Sequence, residues 1–173
     1  MNTNLAVVKY GSELLTNENG VAQAAINAHA ALVAECYHDS DLIVVTSGAV
    51  AAGKARVFEY GGELEDYDDA TLAQLGSASI IKAWERAFDR VGRMAGGLLV
   101  THHEIEDSSE GPEFVRTLQL ARQLGIISVV NENDALSDSE LMRLADCGDN
   151  DGLSAHIAKR IGATSLDLIT KKG

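Results

Sequence analysis

Proline occurs once in this chain, at Pro112, and cysteine only twice, at Cys36 and Cys147. The two cysteines lie far apart and neither has a ligand-spaced partner, so neither a disulfide framework nor a zinc site is indicated. Aromatic residues make up 5% of the sequence, against 46% apolar residues overall. The core must therefore be filled mainly by Ala, Val, Leu and Ile, a profile that suits alanine-rich helices packed on a β-branched sheet. Cations are scarce as well: 14 Lys and Arg face 26 Asp and Glu, a formal charge of −12. That balance argues against nucleic acid and against anionic membrane as partners. Nucleotides stay open, because a phosphate needs only a local positive site. No apolar run approaches membrane length, and Met1 to Asn4 is polar with a short apolar stretch behind it. Neither a membrane span nor a signal peptide is read, and a reducing cytoplasm is the expected setting. The Gly-x-Ser-x-Gly elbow, the Walker lysine loop and the dinucleotide glycine fingerprint are missing too.

What is present is an alternation. Leu5 to Val8 reads as a first strand, and Val21 to Cys36 as a helix with Ile26, Leu32 and Val33 on its apolar stripe. Leu42 to Val45 is a second strand. An acidic stretch from Glu63 to Asp69 reads as a solvated loop, and Leu72, Leu75, Ile80, Trp84, Phe88 and Val91 mark a long amphipathic helix. Gly97 to Thr101 follows as a strand, and His102 to Pro112 as a polar loop in which the proline breaks nothing. Then come a helix from Phe114 to Leu124, a strand from Ile126 to Val130, a helix from Asp151 to Ile161 and a fifth strand from Leu166 to Thr170. Such order predicts an α/β fold with a mostly parallel sheet covered by helices on both faces, a three-layer sandwich. No repeat, low-complexity segment or composition shift divides the chain, so 1–173 is read as a single domain. Three residues follow the last strand, which predicts an uncovered edge that associates with another chain or frays.

Polar clusters stand at the borders of the apolar runs, where an open parallel sheet collects its ligands. Asn131-Glu132-Asn133-Asp134 follows a β-branched strand, and Gly148-Asp149-Asn150-Asp151 opens a helix. Together they suggest a pocket for something small, polar and amino-bearing, with Asp134 as the ligand of its ammonium. An Asx-rich turn and a helix cap by Asp149 or Asn150 are the plainer readings of the same residues. Lys9 ends the first strand before Gly11 and Ser12, where it either neutralises a phosphate or simply closes the strand. Thr46-Ser47-Gly48-Ala49 is a small-residue turn into a helix, fit to bind an anion on its N–H groups or to be capped by Ser47. His102-His103-Glu104 hints weakly at metal, since adjacent side chains point apart. Trp84 and Phe88, one turn apart, are read as core.

Taken in order, these segments resemble the amino-acid kinase family, and within it the glutamate 5-kinase branch. The pieces that carry the resemblance are Val7-Val8-Lys9-Tyr10-Gly11-Ser12, Val44-Val45-Thr46-Ser47-Gly48-Ala49-Val50-Ala51-Ala52-Gly53, Leu72-Ala73-Gln74-Leu75-Gly76, Leu99-Val100-Thr101, Thr117-Leu118, and the two Asx clusters. The resemblance implies transfer of the γ-phosphoryl group of ATP to the side-chain carboxylate of L-glutamate, with Mg²⁺ held largely by the phosphates. By position it assigns Lys9, Gly11 and Ser12 to the transferring phosphoryl group. Ser47, Gly48, Ala49, Asp134, Asp149 and Asn150 fall to the amino acid, and Asp151 to organising lysine. Three departures stand out. Ser77 replaces the family's glutamine after Gly76. Glu110 to Phe114 replaces a loop bearing arginine and asparagine. The family's C-terminal lobe, with its adenine site and second lysine, has no counterpart here. The resemblance thus implies the amino-acid half of a site, either completed by a partner chain or a homo-oligomer or belonging to a longer protein of which this sequence is a fragment. The alternative is a non-catalytic module of the same fold that senses glutamate or proline.

Overall fold

The apolar runs meet in one sheet in the computed structural model, which describes residues 4–105, 111–136 and 150–171. Strand β1 (Leu5–Tyr10) is followed by a helical turn α1 (Ser12–Leu15), two-residue strands β2 (Thr16–Asn17) and β3 (Gly20–Val21), and helix α2 (Gln23–Cys36). Next come β4 (Asp41–Val45), α3 (Ala49–Glu59), α4 (Asp69–Asp89) and β5 (Ala95–Val100). The remainder is α5 (His102–Ile105), α6 (Gly111–Gln123), β6 (Ile127–Glu132), α7 (Asn150–Ile161) and β7 (Ser165–Ile169). The five long strands run parallel in the order β5-β6-β4-β1-β7. All their carboxyl ends therefore lie on one border of the sheet.

Side chains alternate across the sheet with period two. Val8, Val44 and Val129 face a layer built from α2, α3 and α4, where Ile26, Ala30, Ile80, Trp84 and Phe88 are buried. Val7, Val45 and Val130 face α5, α6 and α7, where Ile105, Phe114, Leu118, Leu153 and Ile157 are buried. Both faces are covered, which is why the central strands read as unbroken apolar runs. Close packing of α3 on α4 depends on two glycines. A Cβ on Gly53 would overlap the carbonyl of Leu72, and one on Gly76 would overlap that of Ala49.

Several expectations need correcting. Leu32 is 56% exposed, so the stripe of α2 is Ile26, Ala30 and Val33, at spacings of four and three. Helix α4 ends at Asp89, which leaves Val91 beyond it and at the surface. The acidic stretch is not all loop: Leu64–Asp66 is a 3-10 turn, and Asp68 caps α4 by accepting from Thr71 N at 2.8 Å. The Thr71 side chain first, and then this N–H, hold the exposed Asp68 carboxyl below its ordinary range. Pro112 sits in the first turn of α6, where a missing N–H leaves no intrahelical bond unmade. Residues His102–Ile105 are a short helix within the expected loop. The antiparallel hairpin of β2 and β3 leaves no signal in the sequence, its strands being too short to show a period.

Candidate active site

Lys9 and Asp151 meet at the sheet border. By alternation Lys9 falls on the Val7 side of the sheet, under α7, and it is 6% exposed. Its Nζ lies 2.5 Å from Asp151 Oδ1, in the first turn of α7. A carboxylate there suits the positive end of the helix dipole as well as the ammonium. Lys9 is thus a nearly buried cation held at a strand tip.

The turn after β4 is built from one obligatory glycine. Gly48 has φ +104°, a left-handed conformation that side chains rarely adopt, and it occupies the N-cap of α3 without a side-chain cap bond. Ser47 therefore does not cap the helix. Its hydroxyl accepts instead from Asn150 Nδ2 at 2.5 Å, which joins the turn to the start of α7. Ala49 is the first residue of α3 and is buried. Thr46, fully buried, accepts from the Trp84 indole Nε1 at 2.9 Å, while its hydroxyl donates to Ser47 O at 3.3 Å.

In the first Asx cluster the strand runs further than expected, so that Asn131 and Glu132 belong to β6 and are buried. Neither side-chain polar atom of Asn131 meets a partner among the described residues, nor does Asn150 Oδ1. Buried amides of this kind ordinarily find a hydrogen bond, so their orphaned atoms mark a place suited to a polar ligand. The Asn133 amide donates to Val100 O at 2.7 Å, tying the turn to β5. Asp134 is pushed up to about 6, first by burial and then by the charges of Glu132 and Asp69. An ammonium placed among these carboxylates would relieve that repulsion.

Other candidates lie apart. The Gly11 amide makes a long bond of 3.5 Å to Ile169 O, and the exposed Ser12 uses its carbonyl to accept from Thr16 Oγ1 at 2.9 Å. Asp149 falls outside the described residues. His102 Nε2 stands 3.9 Å from Glu132 Oε1, and its ring meets His156 edge-on at 6.1 Å. Among the described residues no three His, Cys, Asp or Glu are grouped to hold a metal ion. A hollow of about 1040 Å³ lies away from these side chains, between the hairpin, α3 and α4, with Arg56, Lys82 and Arg86 on its walls. What the sequence reading missed is the Thr46–Trp84 bond, for which nothing in residue spacing gives a signal.

A parallel α/β sheet with a buried lysine, a glycine turn and paired Asx clusters along one border defines a class. The chain belongs to the amino acid kinase family, whose model matches residues 4–172. It is 35% identical over 169 residues to the glutamate 5-kinase of Mycobacterium leprae, across 95% of this chain and 44% of that protein. The glutamate 5-kinase of Mycobacterium tuberculosis is 36% identical over 169 residues, across 95% of this chain and 43% of its own length. The chain thus spans less than half the length of the curated relatives it matches. No helix among the described residues is long and apolar enough to cross a membrane.

Proposed function

We propose that this chain carries the amino-acid half of a glutamate 5-kinase site, in which a phosphoryl group passes to the side-chain carboxylate of L-glutamate. One observation carries the reading: the Ser47–Asn150 bond, beside the Lys9–Asp151 pair, brings the tip of β4 and the start of α7 to one point of the sheet border. Ser47, with the N–H groups at Gly48 and Ala49, receives the α-carboxylate of the substrate. Asn150 and Asp149 complete that grip, and Asp134 takes the ammonium. ATP with Mg²⁺ on its phosphates supplies the phosphoryl group when bound.

Lys9 suits an anionic phosphoryl group because it is a desolvated ammonium whose charge is weakly screened at the strand tip. It lowers the repulsion between that group and the incoming carboxylate, and Asp151 keeps its Nζ in place. Gly11 and Ser12, which follow the end of β1, are assigned to the same phosphoryl group by the family resemblance and by nothing in their own contacts. Positioning and charge neutralisation are the whole contribution of the protein here, with no covalent nucleophile.

The reading is tested by calorimetry with L-glutamate and by trapping acyl phosphate as hydroxamate in the presence of ATP and Mg²⁺. Glutamate is expected to bind, and Asp134→Ala to weaken it by more than about tenfold. Absence of glutamate binding by the wild-type chain would overturn the reading. Binding without hydroxamate would leave a module that recognises the amino acid without transferring phosphate.

A further inference from the structure

We propose that Trp84, the single tryptophan of the chain, is a positioning residue that sets the Ser47–Ala49 turn through Thr46. This rests on the reading of that turn as a substrate contact. Trp84 is fully buried in α4, between Tyr10 at a centroid distance of 5.1 Å and Phe88 at 5.6 Å. The two rings fix the plane of the indole, so its N–H has one direction available. It donates to Thr46 Oγ1 at 2.9 Å, with both residues out of contact with solvent.

That acceptance leaves the Thr46 hydroxyl proton to point at Ser47 O, 3.3 Å away. The Thr46 amide is meanwhile fixed by Val130 O at 2.8 Å. The residue before Ser47 is therefore held on its backbone and on its side chain by two different layers of the fold. About two turns earlier in the same helix α4, Gly76 abuts the carbonyl of Ala49 with no room for a Cβ. Helix α4 thus grips the turn at both ends, by an indole bond before Ser47 and by backbone contact after Gly48. Left to itself, a turn with a left-handed glycine samples many conformations, and this double hold removes them. Trp84 acts through Thr46 and does not reach the substrate side of Ser47.

Trp84→Phe keeps a packed ring and deletes the N–H; Thr46→Val deletes the acceptor at nearly constant volume; Thr46→Ser retains the hydroxyl. The first two are expected to weaken L-glutamate binding about fivefold, the equivalent of roughly 1 kcal/mol for one hydrogen bond. The double variant Trp84→Phe/Thr46→Val is expected to be no weaker than either single one, and Thr46→Ser to bind like wild type. Amide exchange in the ligand-free protein gives a readout independent of glutamate. Trp84→Phe is expected to speed exchange at Thr46 and at Ala52, whose N–H closes the first turn of α3 on Gly48 O at 2.9 Å, while Ala87 stays protected. Unchanged exchange at Thr46 and Ala52 overturns the proposal, as does full additivity of the two losses in affinity. If the wild-type chain binds no glutamate, the functional reading falls and exchange alone decides the role of Trp84.

Discussion

Asn150 Nδ2 and Ser47 Oγ stand 2.5 Å apart across 103 positions of sequence, the contact that closes α7 onto the turn after β4. Removing it separates stability from recognition. Asn150→Ala deletes one hydrogen bond and also a buried acceptor, Oδ1, that has no partner among the described residues. The two changes oppose one another, so the loss of stability is expected to stay under about 1 kcal/mol in urea denaturation. Glutamate affinity is expected to fall about tenfold in calorimetry, because the same amide serves the ligand. A variant that loses stability but binds glutamate normally would make Asn150 a structural clamp only.

Lys9 and Asp151 call for paired substitutions. Asp151→Asn leaves a nearly buried ammonium beside a neutral amide, and the expected loss is about 2 kcal/mol. That figure is kept below the range for fully buried pairs because the Asp151 side chain is 39% exposed. Lys9→Met replaces the charge with an apolar stem of similar volume, and its stability in urea is expected to stay within about 1 kcal/mol of wild type. Hydroxamate formation is nevertheless expected to be lost with Lys9→Met. If Asp151→Asn unfolds at the wild-type midpoint, the carboxylate is not what holds Lys9.

Asp134 gives the chain a pH signature. Its carboxyl is raised to about 6 by burial and by Glu132 and Asp69, so the folded state holds a proton that the unfolded chain has already released. Stability is therefore expected to fall as pH rises from the ordinary carboxylate range to about 6, and to level off above it, with about 3 kcal/mol for the full shift and roughly 2 kcal/mol once the partial solvent exposure of the carboxyl is allowed for. Asp134→Asn is expected to abolish this slope and to unfold at higher urea than wild type at neutral pH. If Asp134 takes the substrate ammonium, glutamate affinity runs the other way, weakening as pH drops below about 6, since only the ionised form attracts a cation. A flat stability profile between those limits would show that neither burial nor the neighbouring carboxylates raise Asp134.

The strands, their alternation and the polar tips were legible because burial on both faces writes itself as β-branched runs ending in Asx residues. Lys9, Ser47 and Asn150 stood out for the same reason, being polar groups directly against apolar ones. The contacts that join them were not legible. The sequence offers Ser47 either as part of an anion-binding turn or as a helix cap; φ +104° at Gly48 moves the cap by one residue and frees Ser47 to meet Asn150. Leu32 looked like core because hydrophobicity alone does not say which side of a helix faces the sheet. Trp84 looks like packing alone because a ring shows its apolar surface in sequence and hides where its N–H points.

Gly76, packed between α3 and α4, and Gly125, in the turn before β6, supply the last test, because two reasons for a glycine predict different losses. Gly125 has φ +71° and nothing within 4 Å of an added Cβ, so Gly125→Ala meets only conformational strain, about 1 kcal/mol. Gly76 lies inside α4 with ordinary helical backbone, and its substitution meets the carbonyl of Ala49 instead. Backbone cannot swing away as a side chain can, so α3 must shift, and Gly76→Ala is expected to lose about 3 kcal/mol in urea denaturation. The shift starts at Ala49 and reaches Ser47 within two residues, which predicts weaker glutamate binding in whatever fraction still folds. Equal losses for Gly76→Ala and Gly125→Ala would mean that α3 and α4 are free to separate, and that the turn they carry is not held as described.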